Sequence, residues 1–366
     1  MKTQSYNRFW QRIHKSAEKN NFPLRVMFEL TYRCNFYCRH CYVPLNYRKM
    51  SEQKQLKTKE VFSILDQLKN IGCFYLGFTG GEPFIRQDIM DILWDAKRKG
   101  FEVIIYTNGS LIDEKIAEEL AHLRPNKVDI TIPAMSKDSF ERIAQIPGSH
   151  QKVFNAIDLL YERGVNLGFK TCVLRENEEE IEDIQKFVNS LGALHRLDDM
   201  LSRCLDGSDE PFKYRGTLLN TNRHEANANL REYLNEEICV NPREISENSR
   251  LFKCGVGRSQ VAITPFGELK MCLMIDYPKY KILDNKNQKP KTKNRTQRVN
   301  LKEAWQRLKE LVKNIRPDEN YQCDRCELEP YCMWCPGKGW LDSKGFTSCD
   351  LESRAWAETR RKEIKI

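Results

Sequence analysis

The 366-residue sequence predicts an α/β fold in which a partial barrel of six strand–helix units precedes a small cysteine-rich domain. Two observations predict this fold. Between residues 25 and 201, short apolar runs alternate with amphipathic segments of helical period, which is the pattern of a parallel, right-handed sheet. Seven of the fourteen cysteines lie between residues 254 and 349. A 40% share of hydrophobic residues is enough to fill one large or two ordinary domains.

The six strands are short apolar runs bounded by turn residues. They are expected at residues 25–31, 73–79, 102–106, 127–132, 167–174 and 194–201. In parallel barrels the active site lies at the carboxyl ends of the strands. The residues that follow each strand are therefore the candidates for a functional site.

The helices are indicated by apolar residues at helical spacing. The helix at 58–71 carries Val61, Ile64 and Leu68 on one face, and Gly100 ends the helix that follows the second strand. An amphipathic helix at 5–20 is expected to cover an end of the barrel. The other helices are expected at 87–99, at 113–123, once or twice within 137–163, and from 178 to 190.

Three cysteines follow the first strand at the spacing C-x3-C-x2-C. They are Cys34, Cys38 and Cys41. Three close thiols with no fourth nearby suit a metal cluster that keeps one coordination position open, and thiolates of this kind hold iron–sulfur clusters. A zinc loop is the alternative for these cysteines.

Two motifs together resemble those of radical S-adenosylmethionine (SAM) enzymes. The cysteine spacing, with Tyr37 and His40 around the last two thiols, resembles that family's cluster-binding motif. A second motif after the second strand resembles the one that binds the SAM amino group. Its residues are Gly80, Gly81, Glu82 and Pro83. The resemblance implies a partial (β/α)6 barrel of the TIM type, a [4Fe–4S] cluster on the three thiolates, and SAM chelated at the open iron.

The resemblance also implies roles for residues at the other strand ends. Glu82 would accept hydrogen bonds from the SAM ammonium group, the glycines would allow close backbone approach, and Pro83 would fix the turn. Asn108, Thr131 and Lys170 are further candidate SAM contacts, with Lys170 facing the carboxylate. Ordinary hydrogen-bonding or solvent-facing roles stay open for these three, and no catalytic residue is assigned.

The C-terminal cysteines resemble the SPASM domain, which houses auxiliary iron–sulfur clusters in many radical SAM enzymes. The resemblance implies one auxiliary [4Fe–4S] cluster on four thiolates, which are those of Cys323, Cys326, Cys332 and Cys349. The other auxiliary cluster would take three, which are those of Cys254, Cys272 and Cys335. Its fourth iron would be open, or held by an internal ligand such as Cys204 or Cys239. A pair of structural zinc sites is the alternative.

Charge and cysteine usage narrow the class of protein. A cluster on three thiolates carries −1 and one on four carries −2, so two of the first and one of the second lower the formal charge of +9 to about +5. This mild excess does not argue for a nucleic-acid partner. The N-terminus has no apolar signal core, and no apolar run reaches the roughly 20 residues of a membrane span. Many cysteines without secretion indicate metal ligation in the cytoplasm.

The chain divides into five expected segments. They are an N-terminal helix at 1–24, the radical SAM barrel at 25–205, a polar bridge at 206–249 with a helix near 222–237, the SPASM domain at 250–352, and a C-terminal helix at 353–366. The basic stretch 279–298 is expected to be a surface loop.

The resemblance implies an enzyme that modifies a ribosomally made peptide, by crosslinking, epimerisation or side-chain cleavage. An electron donor such as flavodoxin or ferredoxin is expected. Leader recognition would need a separate protein or none, because no peptide-recognition domain fits before residue 25. The motifs also resemble haem-pathway radical SAM enzymes, so processing of a tetrapyrrole or another cofactor is the alternative. A zinc-binding module without catalysis is a third, remote one.

Overall fold

The computed structural model describes residues 3–216, 251–252, 254–282, 299–319 and 321–364, with side chains between residues 12 and 362. It confirms the predicted α/β class. The proposed helix near 222–237 and most of the basic stretch lie outside the described residues. Within the described residues, no helix has the length and apolar character that a membrane crossing requires.

One nine-stranded sheet organises the described residues, in the order β6-β5-β4-β3-β2-β1-β7-β8-β9. The strands are β1 Arg25–Thr31, β2 Tyr75–Gly80, β3 Glu102–Thr107, β4 Lys127–Thr131, β5 Leu167–Cys172, β6 Leu194–Asp198, β7 Gln260–Ile263, β8 Glu268–Lys270 and β9 Tyr280–Lys281. Strands β1 to β6 pair in parallel with their sequence neighbours. All six predicted strands are therefore confirmed, and no strand end differs from its prediction by more than three residues.

Helices connect the parallel strands, and further helices precede and follow them. They are α1 Thr3–Asn20, α2 Leu45–Lys54, α3 Thr58–Asn70, α4 Ile89–Arg98, α5 Glu114–Leu123, α6 Lys137–Ala144, α7 Ser149–Glu162, α8 Ile181–Ser190, α9 Leu301–Asn314, α10 Pro336–Ser343 and α11 Leu351–Ile364. Helices α2, α9 and α10 were not predicted, and α2 lies next to the cysteine loop. Helix α2 buries only Arg48 and Ser51, so its sequence has no apolar stripe from which a helix could be recognised.

Strand β1 is buried on both faces, which places it at the centre of the protein. Val26, Phe28 and Leu30 are at most 1% exposed on one face, and Glu29 and Thr31 are fully buried on the other. An apolar strand of this kind is typical of a parallel sheet that is covered on both sides.

The C-terminal region continues the sheet of the barrel. Strand β7 pairs in parallel with β1, with Arg25 opposite Gln260 and Phe28 opposite Ile263, and the antiparallel strands β8 and β9 follow. The pairing covers the edge of β1, where unpaired backbone groups would otherwise be exposed. The sheet runs without interruption from β1 into this region. The predicted domain boundaries stay a prediction.

Candidate functional site

The loop after β1 brings three thiols together. Cys34, Cys38 and Cys41 are half-buried, free cysteines. Burial, with smaller contributions from the nearby Glu82 and Cys41, raises the pKa of Cys34 to about 11. Burial also raises the pKa of Cys38, and the neighbouring Cys41 and Cys34 add to the shift. The three thiols thus lie close enough together that a negative charge on one disfavours a negative charge on another. A bound cation or cluster would offset this repulsion.

Nitrogen donors are directed at these sulfurs. The Phe36 amide donates to Cys34 Sγ at 3.4 Å, and Asn108 Nδ2 lies 3.8 Å from the same atom. Arg48 Nη2 donates to Cys41 Sγ at 3.2 Å. Donors to sulfur are the outer-shell contacts that support and tune a thiolate-bound cluster. The residues present therefore fit an iron–sulfur cluster at this loop.

The glycine turn at the end of β2 packs directly on the cysteine loop. A Cβ atom on Gly80 would lie 2.1 Å from the Thr31 carbonyl oxygen, and one on Gly81 would lie 2.0 Å from that of Arg33. Gly80 also has a positive φ of 124°. The Gly81 amide donates to the Thr31 carbonyl at 2.7 Å. Only glycine fits at these two positions, so the turn and the cysteine loop hold each other in place.

Glu82 joins this turn to the end of β3. Its fully buried carboxylate accepts hydrogen bonds from the Phe84 amide at 3.0 Å, the Thr107 hydroxyl at 2.8 Å and the Asn108 amide at 2.7 Å. Burial outweighs these donors and raises the pKa of Glu82 to about 7. Pro83 begins the 3-10 turn Pro83–Ile85 that follows. The expected contact between Glu82 and SAM stays a prediction.

The remaining predicted SAM contacts lie at the ends of β3, β4 and β5. Asn108 Nδ2 donates to Asn35 Oδ1 in the cysteine loop at 2.9 Å. Thr131 ends β4 and pairs in register with Lys170. Lys170 Nζ forms an ion pair with Asp198 Oδ2, the last residue of β6, at 2.8 Å. The sequence analysis missed Asp198. Its position at the end of the sixth predicted strand could have identified it as a candidate site residue.

Two cysteines outside the motifs lie beside the same loop. Cys204 Sγ is buried and contacts the Cys41 carbonyl oxygen at 3.5 Å. Cys172, at the end of β5, is half-buried; burial raises its pKa, and the nearby Cys41 makes a small further contribution in the same direction. Cys204 was expected as a candidate ligand of a C-terminal cluster, and its position beside Cys41 argues against that role. Cys239, the other candidate, lies outside the described residues.

The C-terminal cysteines approach one another in two sets. Burial is the main cause that raises the pKa values of Cys254 and Cys272, the latter to about 12, and Cys335 contributes to both shifts. In the second set, burial raises the pKa of Cys332 to about 11, with smaller contributions from Asp350 and Cys349. Burial also raises the pKa of Cys349, and Asp350 and Cys326 add to the shift. The last member, Cys323, lies near Tyr321. This arrangement agrees with the predicted division, and the ligand assignments stay a prediction.

The described residues contain no preformed site for a single ion. No group of three or more His, Cys, Asp or Glu side chains among them could hold one metal ion. The thirteen described cysteines are all free thiols.

Comparison with known proteins identifies the barrel. Residues 28–188 match the Radical SAM superfamily. The PqqA peptide cyclase of Granulibacter bethesdensis is 28% identical over 171 residues, which are 47% of this chain and 45% of that protein. An AdoMet-dependent heme synthase of Oleidesulfovibrio alaskensis is 27% identical over 46% of this chain and 43% of that protein. The chain thus spans less than half the length of these two relatives.

One relative matches nearly the whole chain. The antilisterial bacteriocin subtilosin biosynthesis protein AlbA of Bacillus subtilis is 25% identical over 364 residues, which are 98% of this chain and 77% of that protein. The sequence similarity to AlbA therefore extends beyond the barrel into the C-terminal cysteine region.

Two solved structures share the fold. Streptococcus suis SuiB bound to the precursor peptide SuiA aligns with a TM-score of 0.65 at 16% identity, over 94% of this chain and 79% of that one. The structure of anSMEcpe with bound AdoMet and a Cp18Cys peptide aligns with a TM-score of 0.61 at 16% identity, over 94% and 97%. The Radical SAM family model thus covers residues 28–188, a little under half of the chain, and the two solved structures share the fold over more than nine-tenths of it.

Proposed function

We propose that this protein is an enzyme that reductively cleaves SAM and removes a hydrogen atom from a ribosomally made peptide. The observation that carries the proposal is the set of three clustered, free thiols after β1, packed against the glycine turn of β2. Two motifs that lie far apart in sequence thus meet at the carboxyl ends of adjacent parallel strands, where such folds place their active sites.

Cys34, Cys38 and Cys41 would hold a [4Fe–4S] cluster with one open iron. When bound, this cluster supplies the electron that splits SAM into methionine and a 5′-deoxyadenosyl radical. The protein's part is to hold and shield the reactants. The fixed contacts of the glycine turn keep its backbone beside the cysteine loop, and the buried Glu82 keeps the ends of β2 and β3 together.

The SAM contacts are proposed at the strand ends that surround this loop. The backbone at residues 80–83 and Asn108 border it directly. Thr131 and Lys170 lie on the next strands along the sheet. Lys170 already neutralises Asp198, so a SAM carboxylate would have to share its ammonium group or displace the Asp198 carboxylate.

Two auxiliary [4Fe–4S] clusters are proposed in the C-terminal region. One would use Cys254, Cys272 and Cys335, and the proximity of Cys335 to both other thiols supports this set. The other would use four thiols, which are those of Cys323, Cys326, Cys332 and Cys349. The position of Cys204 beside Cys41 favours an open fourth iron in the three-thiol cluster over ligation by Cys204.

The extent of the similarity to AlbA favours a peptide substrate. AlbA aligns with 98% of the chain, including the cysteine-rich end, whereas the heme synthase aligns with 46%. Processing of a tetrapyrrole is the second candidate, and the heme synthase relatives favour it.

We place the enzyme in the cytoplasm with a flavodoxin or ferredoxin as electron donor and a separate leader-peptide-binding protein as a further partner. The abundance of free thiols supports a reducing compartment.

SAM cleavage tests the proposed chemistry. The anaerobically reconstituted protein should form 5′-deoxyadenosine from SAM under dithionite, and replacing Cys34, Cys38 or Cys41 by Ala should abolish it while the auxiliary clusters still assemble. Cys73→Ala is the matched control, because Cys73 is a buried thiol beside β2 with no proposed ligand role. Cleavage that persists in all three variants would refute the assignment.

Mass spectrometry tests the substrate class. A short peptide encoded beside this chain's gene is incubated with the enzyme and SAM in D2O. Loss of hydrogen, loss of a side-chain fragment or uptake of one deuterium is expected for crosslinking, cleavage or epimerisation, respectively. An unchanged peptide, together with loss of side-chain carbon from an iron porphyrin, would establish the second candidate instead.

A further inference from the structure

A buried arginine contacts the three-cysteine loop. Arg48 lies in α2, the helix that begins four residues after Cys41, and is 8% exposed. Its Nη2 donates to Cys41 Sγ at 3.2 Å, and its Nη1 donates to the Phe36 carbonyl at 2.5 Å. The guanidinium also lies over the Tyr37 ring, 5.3 Å from its centroid. The positive charge is thus fixed against the loop on three sides.

This charge has no carboxylate partner in the described part of the chain. No ion pair within 4.0 Å is found for Arg48 there, and its Nε is buried without a hydrogen-bond partner. The other buried arginine of this region, Arg86, pairs with Asp88 at 2.7 Å. A guanidinium stays ionised, and a buried ion without a counter-charge is costly. An anionic group is therefore expected beside Arg48, and the Cys41 sulfur is the one it contacts.

The guanidinium of Arg48 is held against the loop that also carries Cys34 and Cys38, through its contacts with Cys41 Sγ and the Phe36 carbonyl. A cation fixed at this position favours negative charge placed among the three sulfurs. One-electron reduction of a cluster at this loop would add such a charge.

We propose that Arg48 is a positioning residue that holds the Cys41 thiolate and raises the reduction potential of the cluster on Cys34, Cys38 and Cys41. This inference rests on the proposed function, because it concerns the cluster proposed there. The step is the transfer of one electron from a low-potential one-electron donor to the cluster, without bond formation or proton transfer. Hydrogen bonds to cluster sulfurs and the net charge nearby are known determinants of such potentials.

The test is a potentiometric titration of the full-length, reconstituted protein followed by electron paramagnetic resonance. The signal that is lost in Cys38→Ala identifies the first cluster. In Arg48→Gln, one-electron reduction of this cluster should become at least tenfold less favourable, which lowers its potential by 59 mV or more. Arg48→Lys keeps the charge and should lie closer to the wild-type value.

Arg39→Gln provides the matched control. Arg39 lies within the same loop, but its Nε donates to the Arg142 carbonyl at 3.0 Å and its guanidinium packs over Tyr214. The Arg39→Gln substitution therefore removes one positive charge near the cluster without removing a hydrogen-bond donor to a cysteine sulfur. Its effect on the potential should be less than half that of Arg48→Gln.

Each outcome decides the inference. Equal potentials in wild type and Arg48→Gln, a higher potential in Arg48→Gln, or an equal effect of Arg39→Gln would overturn it and leave the proposed function intact. If Arg48→Gln binds no first cluster, Arg48→Lys decides: a retained cluster near the wild-type potential supports the role of charge, and its loss overturns it. Absence of any cluster in the wild type would instead refute the proposed function.

Discussion

Glu82→Ala should destabilise the fold in addition to weakening SAM binding. The substitution leaves the Phe84 amide, the Thr107 hydroxyl and the half-buried Asn108 amide without the fully buried carboxylate that accepts from them. A buried donor left unpaired costs about 1–3 kcal/mol, so three donors should cost about 3–6 kcal/mol after partial relaxation. Denaturant unfolding gives this free energy, and equilibrium dialysis gives the SAM affinity.

Two variants calibrate the effect of removing Glu82. Glu82→Gln keeps the shape and one acceptor oxygen, so it should lose only about 1–3 kcal/mol. Glu141→Ala removes a carboxylate that accepts one hydrogen bond, from the Gly148 amide, in an exposed setting, and should cost at most about 1 kcal/mol. If Glu82→Ala unfolds like the wild type and loses only SAM affinity, the carboxylate serves the ligand and the structural reasoning fails.

The raised pKa of Glu82 adds a pH dependence. Since the folded-state pKa, about 7, lies above the ordinary value of 4.5, the folded protein holds this proton more tightly than the unfolded chain. The stability that the proton contributes is complete below pH 4.5 and is lost as the pH rises to about 7, by up to about 3 kcal/mol at 1.36 kcal/mol per unit. Because Glu82→Gln does not titrate, its stability should approach or overtake that of the wild type over this interval. A constant difference between the two proteins from pH 5 to pH 8 would contradict the shift.

Two further substitutions test connections that the sheet creates. Lys270→Met should cost about 3–5 kcal/mol, because Lys270 Nζ pairs at 3.0 Å with Glu29 and both side chains are at most 2% exposed. Adding Glu29→Gln should restore part of this loss in denaturant unfolding, and equal stability of the single and double variants would count against a buried charge pair. Cys204→Ala should leave the spectra of the C-terminal clusters unchanged, because Cys204 contacts Cys41. A spectrum typical of ligand loss at the three-thiol cluster would show that Cys204 reaches that cluster after all.

The sequence predicts local features of this protein well. Val61, Ile64 and Leu68 indicate α3 because burial repeats with the helical period, and the structure buries all three. The three-cysteine loop is equally local, since its spacing is read within eight residues. Helix α2 escapes prediction because its buried residues are polar and contact a loop that periodicity does not reveal.

Long-range partners could not be predicted from periodicity. The pairing of β1 with β7 joins residues more than two hundred positions apart, and nothing in the short apolar run of β7 specifies its neighbour. Glu29 looks like an ordinary polar residue within a strand until the fold brings Lys270 to it. In the same way, the ion pair between Lys170 and Asp198 could not be predicted without knowing which residue ends β6 beside Lys170. Such contacts depend on tertiary packing, which local propensity does not encode.

The metal content of the anaerobically reconstituted protein tests the central claim most directly. Three [4Fe–4S] clusters on ten cysteines predict about twelve iron atoms and about twelve sulfides per chain, with broad visible charge-transfer absorbance. Elemental analysis and the absorption spectrum of one preparation give both values. Stoichiometric zinc, with little iron and no such absorbance, would contradict the account.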